Sequence, residues 1–342
     1  MIQLTKMKSE YNCFKKSFMQ IPALCAVILS FVLLTGCSGY ESLPHTETGF
    51  YFDTVIQISI YDSISEKEAA RIIGKCFDMM SCYEKLYSRT MEGSDIYNIN
   101  HSAGQSVSVD PETIALIKTA MDYAKISDRT VDPTVGNLSV LWNIGASGTE
   151  TVPSKKDISD ALSTVDYHNI EISGQNITLK NNSAIDLGFI AKGYAADRIK
   201  EYLQEENISS AIINLGGNIL LLGDKGGNDF NIGLKNPKAP EGDPITTLKV
   251  SDCSIVSSGD YERYFEYDGV RYHHILSLSD GYPAQSDLSM VTIISQSSTE
   301  ADALSTICYI LGKEKATEFL NKNYPDVYAI FTDKDNNLYY SR

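Results

Sequence analysis

Four short segments of the sequence combine acidic, basic, hydroxyl and imidazole groups in patterns that suit phosphate and metal chemistry. They are residues 130–136 (T-V-D-P-T-V-G), residues 186–197 (D-L-G-F-I-A-K-G-Y-A-A-D), residues 256–261 with 272–276 (V-S-S-G-D-Y and Y-H-H-I-L), and residues 300–306 (E-A-D-A-L-S-T). In the second segment a carboxylate, a glycine turn and Lys192 stand at the start of a predicted helix. The free N–H groups and partial positive charge of a helix start favour a bound phosphate.

One further pair of side chains indicates a cation site, and a histidine indicates a proton acceptor. Asp302 and Thr306 are four residues apart on a predicted helix, so both oxygens lie on one face. A carboxylate and a hydroxyl form half of a site for a hard cation, which waters or carbonyls would complete. His274 can take a proton near neutral pH. The spacing alone is compatible with an enzyme that uses Mg²⁺ and acts on a phosphate compound.

Each of these side chains also has a structural interpretation, and taken singly that interpretation is the commoner one. Asp186 would cap a helix, and Lys192 would be a solvated surface lysine. His274 would be a satisfied core histidine. Asp302 would be an acid in the first turn of a helix, with Thr306 packing beside it.

The elements that must position these residues are helices and strands in mixed order. A strand is predicted at 52–61, a hairpin at 169–180, strands at 211–215 and 219–222, alternating segments at 272–278 and 291–294, and a terminal strand at 327–332. Helices are predicted after the Ser65/Glu68 capping box, after Asp110-Pro111, at 191–205 and at 299–311 before Gly312. Residues 224–248 are rich in Gly, Pro, Asp and Lys and are interpreted as surface loops. Without regular βαβ alternation, this order predicts an α+β fold.

The N-terminus is typical of an exported lipoprotein. A basic start is followed by an apolar run over about 21–34 and then by L-L-T-G-C, in which Cys37 would be the lipidated first residue. The alternative is an uncleaved anchor, but the run is short for a span of about 20 residues. We therefore predict a lipoprotein signal at 1–36, a tether at 37–48 and one domain at 49–342. The predicted location is the extracytoplasmic face of the cell membrane.

Composition and charge restrict the partners. The chain has 342 residues and a net charge of −15, and removal of residues 1–36 with four Lys and one Glu leaves −18. This charge argues against nucleic-acid binding and against adhesion of the folded body to anionic lipid. Cys76 and Cys82 are six apart on a predicted helix and point to opposite faces, so they cannot pair there. No Cys/His cluster suggests zinc.

Taken together and in this order, the four segments resemble the FAD:protein FMN transferase family, the ApbE-type flavin transferases. The likeness runs from about Phe52 to the C-terminus, and L-G-G-N at 215–218 adds to it. The sequence departs from the family pattern at Phe52-Asp53-Thr54, in place of M-G-T, and at 277–281, where S-L-S-D-G replaces D-P-x-T-G. The resemblance implies mixed or antiparallel sheets flanked by helices, with an FAD cleft between two sub-domains.

The resemblance also implies roles for individual residues. The implied contacts to the flavin dinucleotide are Thr130, Val131, Asp132, Asp186, Lys192 and, through the main chain, Leu276. The implied metal ligands are the side chains of Asp302 and Thr306 and the main-chain carbonyl of Phe189. His274 matches the histidine of the family and is the implied general base.

The activity that the resemblance implies is transfer of the FMN half of FAD onto a Thr or Ser hydroxyl of an acceptor protein. Mg²⁺ is the implied cofactor, FAD the substrate and AMP the leaving product. Three alternatives stay open: hydrolysis of FAD to FMN and AMP at the same site, a flavin- or solute-binding lipoprotein without catalysis, and a purely structural lipoprotein.

Overall fold

A computed structural model describes residues 43–145, 151–239 and 241–342. The predicted signal and Cys37 lie outside these ranges. Residues 44–342 form one compact unit. No helix in the described part of the chain has the length and apolar character needed to span a bilayer.

Strands and helices alternate irregularly along the chain, as the sequence predicts for an α+β fold. The strands are β1 (His45–Tyr51), β2 (Thr54–Ile60), β3 (Val107–Ser108), β4 (Ile170–Ser173), β5 (Asn176–Leu179), β6 (Ala211–Asn214), β7 (Asn218–Leu222), β8 (Phe230–Leu234), β9 (Thr246–Val250), β10 (Ser254–Gly259), β11 (Tyr264–Tyr267), β12 (Val270–His273), β13 (Leu288–Ser295), β14 (Tyr328–Asp333) and β15 (Leu338–Tyr340). The helices are α1 (Glu66–Tyr87), α2 (Asp95–Asn100), α3 (Pro111–Ile126), α4 (Gly136–Trp142), α5 (Lys155–Leu162), α6 (Ala191–Glu205), α7 (Ser298–Leu311) and α8 (Lys313–Asn323), with a 3₁₀ turn at Tyr167–Asn169.

The central element is an eight-stranded antiparallel sheet in the order β1-β2-β6-β7-β10-β13-β14-β15. Smaller antiparallel sheets pair β3-β5-β4, β8-β9 and β11-β12. Neighbouring residues on β7 point to opposite faces of the large sheet. Leu220 joins the large core cluster with α1, α3 and α6, whereas Leu221 joins the cluster that contains β8. The sheet is therefore covered on one face by helices and on the other by the β8-β9 hairpin.

The predicted helices form where local signals place them. The Ser65 side chain accepts a hydrogen bond from the Glu68 N–H at 3.2 Å, and this cap starts α1. Asp110 caps α3 in the same way, with Pro111 in the first turn. Helix α6 has the predicted limits of 191–205, and α7 ends at Gly312, whose φ is 75°. These starts and stops depend on neighbouring residues only, which explains why the sequence predicts them.

Several elements differ from the prediction. The predicted loop region 224–248 contains β8 and the start of β9, with Phe230, Ile232 and Leu234 buried at alternate positions. The Gly, Pro and Asp residues around them obscure this period-two pattern. Strand β14 is not the last one, because β15 follows it at the sheet edge.

The N-terminal edge of the sheet also differs. Strand β1 begins at His45, so residues 45–48 belong to the sheet and not to the tether. As an edge strand with mostly exposed side chains, β1 lacks the alternation that marks a half-buried strand. Strand β2 starts at Thr54 because Phe52 and Asp53, with φ of 51° and 56°, form the two-residue turn of the β1-β2 hairpin.

Candidate active site

A cleft of about 1020 Å³ gathers the residues that the sequence singled out. Every predicted site residue except Asp302 lines it: Thr130, Val131, Asp132, Asp186, Phe189, Lys192, His274, Leu276 and Thr306. Asp302 is 5% exposed and is joined to the neighbour of Lys192, since its Oδ2 accepts the Gly193 N–H at 2.8 Å. Segments separated by up to 176 positions in the chain thus meet at one place.

Helices α6 and α7 position the acid and the lysine. Gly193 lies where the two helices touch: a Cβ there would stand 2.3 Å from the Ser298 carbonyl oxygen and 2.7 Å from the Asp302 Cβ. Asp197, one turn further along α6, accepts the N–H groups of Ser298 and Thr299 at 2.8 and 2.9 Å. The absence of a side chain at Gly193 and the cap from Asp197 hold the start of α7 against α6.

The close approach at Gly193 gives a prediction about stability. We expect Gly193→Ala to lower the free energy of unfolding by about 1–3 kcal/mol, because the added methyl group forces the two helices apart. Gly74→Ala is the matched control, since its Cβ would meet nothing within 4 Å in α1. There a helical alanine should raise stability by about 0.5–1 kcal/mol. Urea unfolding measures both, and equal effects of the two variants would contradict the contact.

The carboxyl group of Asp302 has a strongly raised pKa. Burial raises the pKa of Asp302 to about 6, while Lys192 and the Gly193 N–H act in the opposite direction. Among the described residues no donor reaches its second oxygen, Oδ1, which leaves that oxygen able to accept a further partner. Within the same residues there is no cluster of three or more His, Cys, Asp or Glu side chains that would hold a metal by itself.

The carbonyl oxygen of Phe189 is the second free oxygen. In a regular helix the Gly193 N–H would donate to it, but that N–H donates to Asp302, and α6 begins only at Ala191. In the described part of the chain no other donor reaches this carbonyl. An unpaired main-chain oxygen beside an acid is a suitable ligand for a hard cation.

His274 follows the β11-β12 hairpin and is held by one carbonyl. Its Nδ1 donates to the Arg263 main-chain oxygen at 3.3 Å, and its N–H donates to the same oxygen at 3.1 Å. Because a carbonyl only accepts, Nδ1 carries the proton of the neutral ring and Nε2 holds the free lone pair. Desolvation lowers the pKa of His274 well below its ordinary value, and the positive charge of Arg263 adds to this shift. At neutral pH the ring is thus an uncharged proton acceptor.

Adjacent His273 has a different environment. It is buried, and its Nε2 donates to the Ala284 carbonyl at 3.1 Å. The replaced family segment at 277–281 does not supply an acid to His274 either: the exposed Asp280 accepts the Tyr282 N–H at 3.1 Å and stabilises its own turn.

Two of the predicted acids lie in the walls of the cleft. Asp132 has a fully buried carboxylate that accepts from the Thr134 N–H and hydroxyl and the Tyr167 N–H, at 2.9, 2.6 and 3.0 Å. Asp186 accepts the Gly188 N–H at 2.8 Å and pairs with Arg89 at 3.1 Å. Both acids therefore hold the backbone that borders the cleft. Asp186 does so within a turn before α6, so it does not cap that helix, and it keeps 19% of its side chain exposed.

The main-chain N–H and C=O groups of Leu276 are available to a ligand in the cleft. Its bridge with Pro283 is flanked by the bonds Ala284 N–H to Ile275 O and Ser277 N–H to Tyr282 O, both 2.8 Å. In this geometry the N–H and C=O of Leu276 point away from the Pro283 segment. No backbone partner for them exists within the described ranges. This arrangement suits a ligand contact through the backbone, as the resemblance implies.

Sequence reasoning missed several charged residues of the cleft, namely Arg89, Lys235, Glu241, Glu262 and Arg263. Glu262 and Arg263 directly follow the S-S-G-D-Y run, so extending that motif by two residues would have found them. Desolvation raises the pKa of Glu262, and the charges of Lys192 and Arg263 oppose the rise. Arg89 gave no signal, because its pairing with Asp186 spans 97 positions.

Comparison with known proteins places the chain in a family. The profile of the ApbE family matches residues 52–331. An FAD:protein FMN transferase of Treponema pallidum is 34% identical over 300 residues, which cover 82% of each chain. One of Klebsiella pneumoniae is 35% identical over 271 residues, covering 78% of this chain and 84% of the relative.

A solved structure agrees with the sequence comparison. The crystal structure of an ApbE protein from Thermotoga maritima superposes with a TM-score of 0.79 at 33% identity, covering 86% of this chain and 96% of that one. The chain belongs to the ApbE family.

Proposed function

We propose that the protein is a flavin transferase that moves the FMN moiety of FAD onto a Thr or Ser hydroxyl of an acceptor protein and releases AMP. The observation that carries this is the meeting, at one cleft, of the uncharged His274 imidazole with Lys192 and with two oxygens, Oδ1 of Asp302 and the Phe189 carbonyl, that accept no hydrogen bond from the described residues. The related chains of Treponema and Klebsiella carry the same activity in their names.

The residues fit a magnesium ion. The oxygens that would hold it are those of the Asp302 carboxylate, the Thr306 hydroxyl and the Phe189 carbonyl. All three are hard oxygen ligands of the kind that Mg²⁺ prefers. Two of the oxygens, Oδ1 of Asp302 and the Phe189 carbonyl, accept no hydrogen bond from the described residues. A bound Mg²⁺ supplies neutralisation of the pyrophosphate charge. Lys192 contributes further local positive charge, together with Arg263 and Lys235 of the same cleft.

A side chain of the protein itself can take up the proton that the acceptor hydroxyl loses during transfer. The acceptor hydroxyl forms a new P–O bond to the phosphorus of the FMN half, and the P–O bond to the AMP half breaks. The hydroxyl proton passes to Nε2 of His274, whose Nδ1–H stays on the Arg263 carbonyl. The electron pair of the broken bond leaves with AMP. The main-chain groups of Leu276 and the Asp186–Gly188 turn border the substrate.

The decisive experiment separates the transferase from its alternatives. The protein is incubated with FAD, Mg²⁺ and a candidate acceptor, and the acceptor is examined for the mass of a covalently bound FMN together with release of AMP. Release of AMP with free FMN only would identify an FAD pyrophosphatase. Stoichiometric FAD binding without AMP would identify a flavin-binding protein, and no FAD binding would leave a structural lipoprotein.

We also propose that the protein is anchored through a lipid on Cys37 at the extracytoplasmic face of the membrane. The short apolar run and the L-L-T-G-C sequence support this. The acceptor would be a flavoprotein subunit that exposes its Thr or Ser on the same side of the membrane.

The anchor leads to a prediction about location. Cys37→Ala should block lipid attachment and shift processing, so the protein loses its partition into a detergent phase and its labelling by a fatty acid. Cys25→Ala, within the apolar run before the predicted cleavage point, is the matched control and should leave both unchanged. Equal labelling of the Cys37→Ala and wild-type chains would contradict lipidation at this residue.

A further inference from the structure

The Thr306 hydroxyl is the first of three hydroxyl groups that are linked by hydrogen bonds and belong to two different elements. The Ser258 Oγ, on β10, lies 2.7 Å from the Ser305 Oγ and 3.3 Å from the Thr306 Oγ1, both on α7. Ser305 in turn donates to the Asp302 main-chain oxygen at 2.9 Å. Ser305 is fully buried, while Thr306 faces the cleft.

The hydrogen bond from Ser305 to the Asp302 carbonyl fixes the direction of the other hydrogen bonds between the hydroxyl groups. A carbonyl oxygen only accepts, so the single hydrogen of Ser305 is used on Asp302. The contact between Ser305 and Ser258 must then be donated by Ser258. With that hydrogen used, the contact between Ser258 and Thr306 must be donated by Thr306. The hydroxyl hydrogens thus point along one line, away from the cleft.

This order determines what Thr306 presents to a ligand. With its hydrogen directed at Ser258, the lone pairs of its Oγ1 that remain free are available on the cleft side. A hydroxyl binds a cation through its lone pairs, so the required rotamer of the O–H bond exists before any cation arrives.

We propose that Ser258 is a positioning residue that orients the Thr306 hydroxyl as an oxygen ligand for the divalent cation. This inference rests on the proposed function, since it assigns a role toward the same metal. Removal of the Ser258 hydroxyl deprives Thr306 of its acceptor and Ser305 of its donor. The Thr306 hydrogen is then free to turn toward the cleft, where it opposes a positive ion.

The neighbouring serine provides a matched control. Ser257 precedes Ser258 on β10 and points to the other face of the strand, where its Oγ lies 2.8 Å from the Oγ1 of Thr292 on β13. Ser257→Ala and Ser258→Ala therefore remove the same group from adjacent positions of one strand. Only Ser258→Ala removes the hydrogen bond to Thr306.

The test measures metal binding without turnover. Mg²⁺ is titrated calorimetrically into the FAD complex of His274→Asn protein with Ser258→Ala, Ser257→Ala or Ser258→Thr added. No acceptor protein is present, so FAD is not transferred during the titration. We expect Ser258→Ala to weaken Mg²⁺ binding about 10-fold or more. Ser257→Ala should stay within about twofold of the parent, and Ser258→Thr, which keeps a hydroxyl, should restore most of the affinity. Thermal unfolding without Mg²⁺ confirms that each variant is folded.

Kinetics give a second readout. In the chain with native His274, Ser258→Ala should raise the Mg²⁺ concentration for half-maximal transfer by the same factor, with most of the maximal rate recovered at saturating Mg²⁺. Equal affinities for Ser258→Ala and Ser257→Ala, or failure of threonine to restore binding, would overturn the positioning role. If the parent FAD complex binds no Mg²⁺ at all, the proposed metal site itself is wrong and the role of Ser258 falls with it.

Discussion

His274→Asn is expected to lower the rate of flavin transfer by about 10²–10⁴-fold while FAD binding stays intact, because a general base contributes an effect of this size. Asparagine keeps a polar group that can face the Arg263 carbonyl, but it cannot take up a proton at neutral pH. FAD binding is measured by quenching of flavin fluorescence, and transfer by the covalent flavin mass on the acceptor.

The pH dependence of the transfer rate follows from the direction in which the pKa of His274 is shifted. The active form is the neutral imidazole, and desolvation together with Arg263 lowers the pKa of His274 well below the usual 6.5. The neutral form therefore persists as pH falls through 6.5. With saturating FAD and Mg²⁺, the rate should be flat above pH 6.5 and should decline only at a more acidic pH. A half-maximal rate at or above pH 6.5 would contradict this environment.

His101→Asn is the control for the histidine prediction. His101 ends α2 with its Nδ1 on the Tyr97 carbonyl at 2.8 Å, is exposed and does not line the cleft. Its replacement should change neither binding nor rate. Undiminished transfer by His274→Asn would remove the imidazole from the mechanism.

Asp302→Asn is expected to lower transfer by about 10²–10³-fold and to abolish the normal response to Mg²⁺. The charge stabilisation that a metal ligand maintains amounts to several kcal/mol. Asparagine has the same shape and still accepts the Gly193 N–H, so helices α6 and α7 stay together. The measurement is the rate against Mg²⁺ concentration, with calorimetry of Mg²⁺ binding beside it.

The same substitution should stabilise the metal-free protein. Burial raises the pKa of Asp302 from 3.8 to about 6, so the unfolded chain holds fewer protons than the folded one between these values. The resulting penalty is absent below about pH 4, grows as pH rises and is complete above about pH 6, where it amounts to about 3 kcal/mol. In EDTA, Asp302→Asn should therefore unfold at higher urea concentration than the wild type at pH 7.5 and at nearly the same concentration at pH 4.

Opposite effects on stability and activity distinguish a functional acid from a structural one. Asp280→Asn serves as a control, because this exposed acid stabilises only its own turn and should leave the Mg²⁺ response unchanged. A wild-type Mg²⁺ response in Asp302→Asn would place the metal elsewhere. A large loss of stability at pH 7.5 would show that the carboxylate is needed for folding.

Those features of the site that depend on neighbouring residues could be predicted from the sequence. Asp302 and Thr306 share a helix face because four residues make about one turn. The start of α6 follows from the glycine turn and lysine, and its end from the apolar pattern. The failures at β1 and β8 have a matching cause: one is an exposed edge, and the other is surrounded by turn residues, so the local pattern carries little information there.

The sequence by itself determined the α+β class and the limits of α6, and it singled out the acid, the alcohol, the lysine and the histidine as candidates. Tertiary structure alone decided that His274 rests on the Arg263 carbonyl through Nδ1, that the Phe189 carbonyl has no partner among the described residues, and that Ser258 reaches Thr306 across 48 positions. The physical reason is the distance along the chain over which each interaction acts. Periodicity and caps act within a turn or two of the chain, whereas hydrogen-bond direction and desolvation depend on which distant segments pack together.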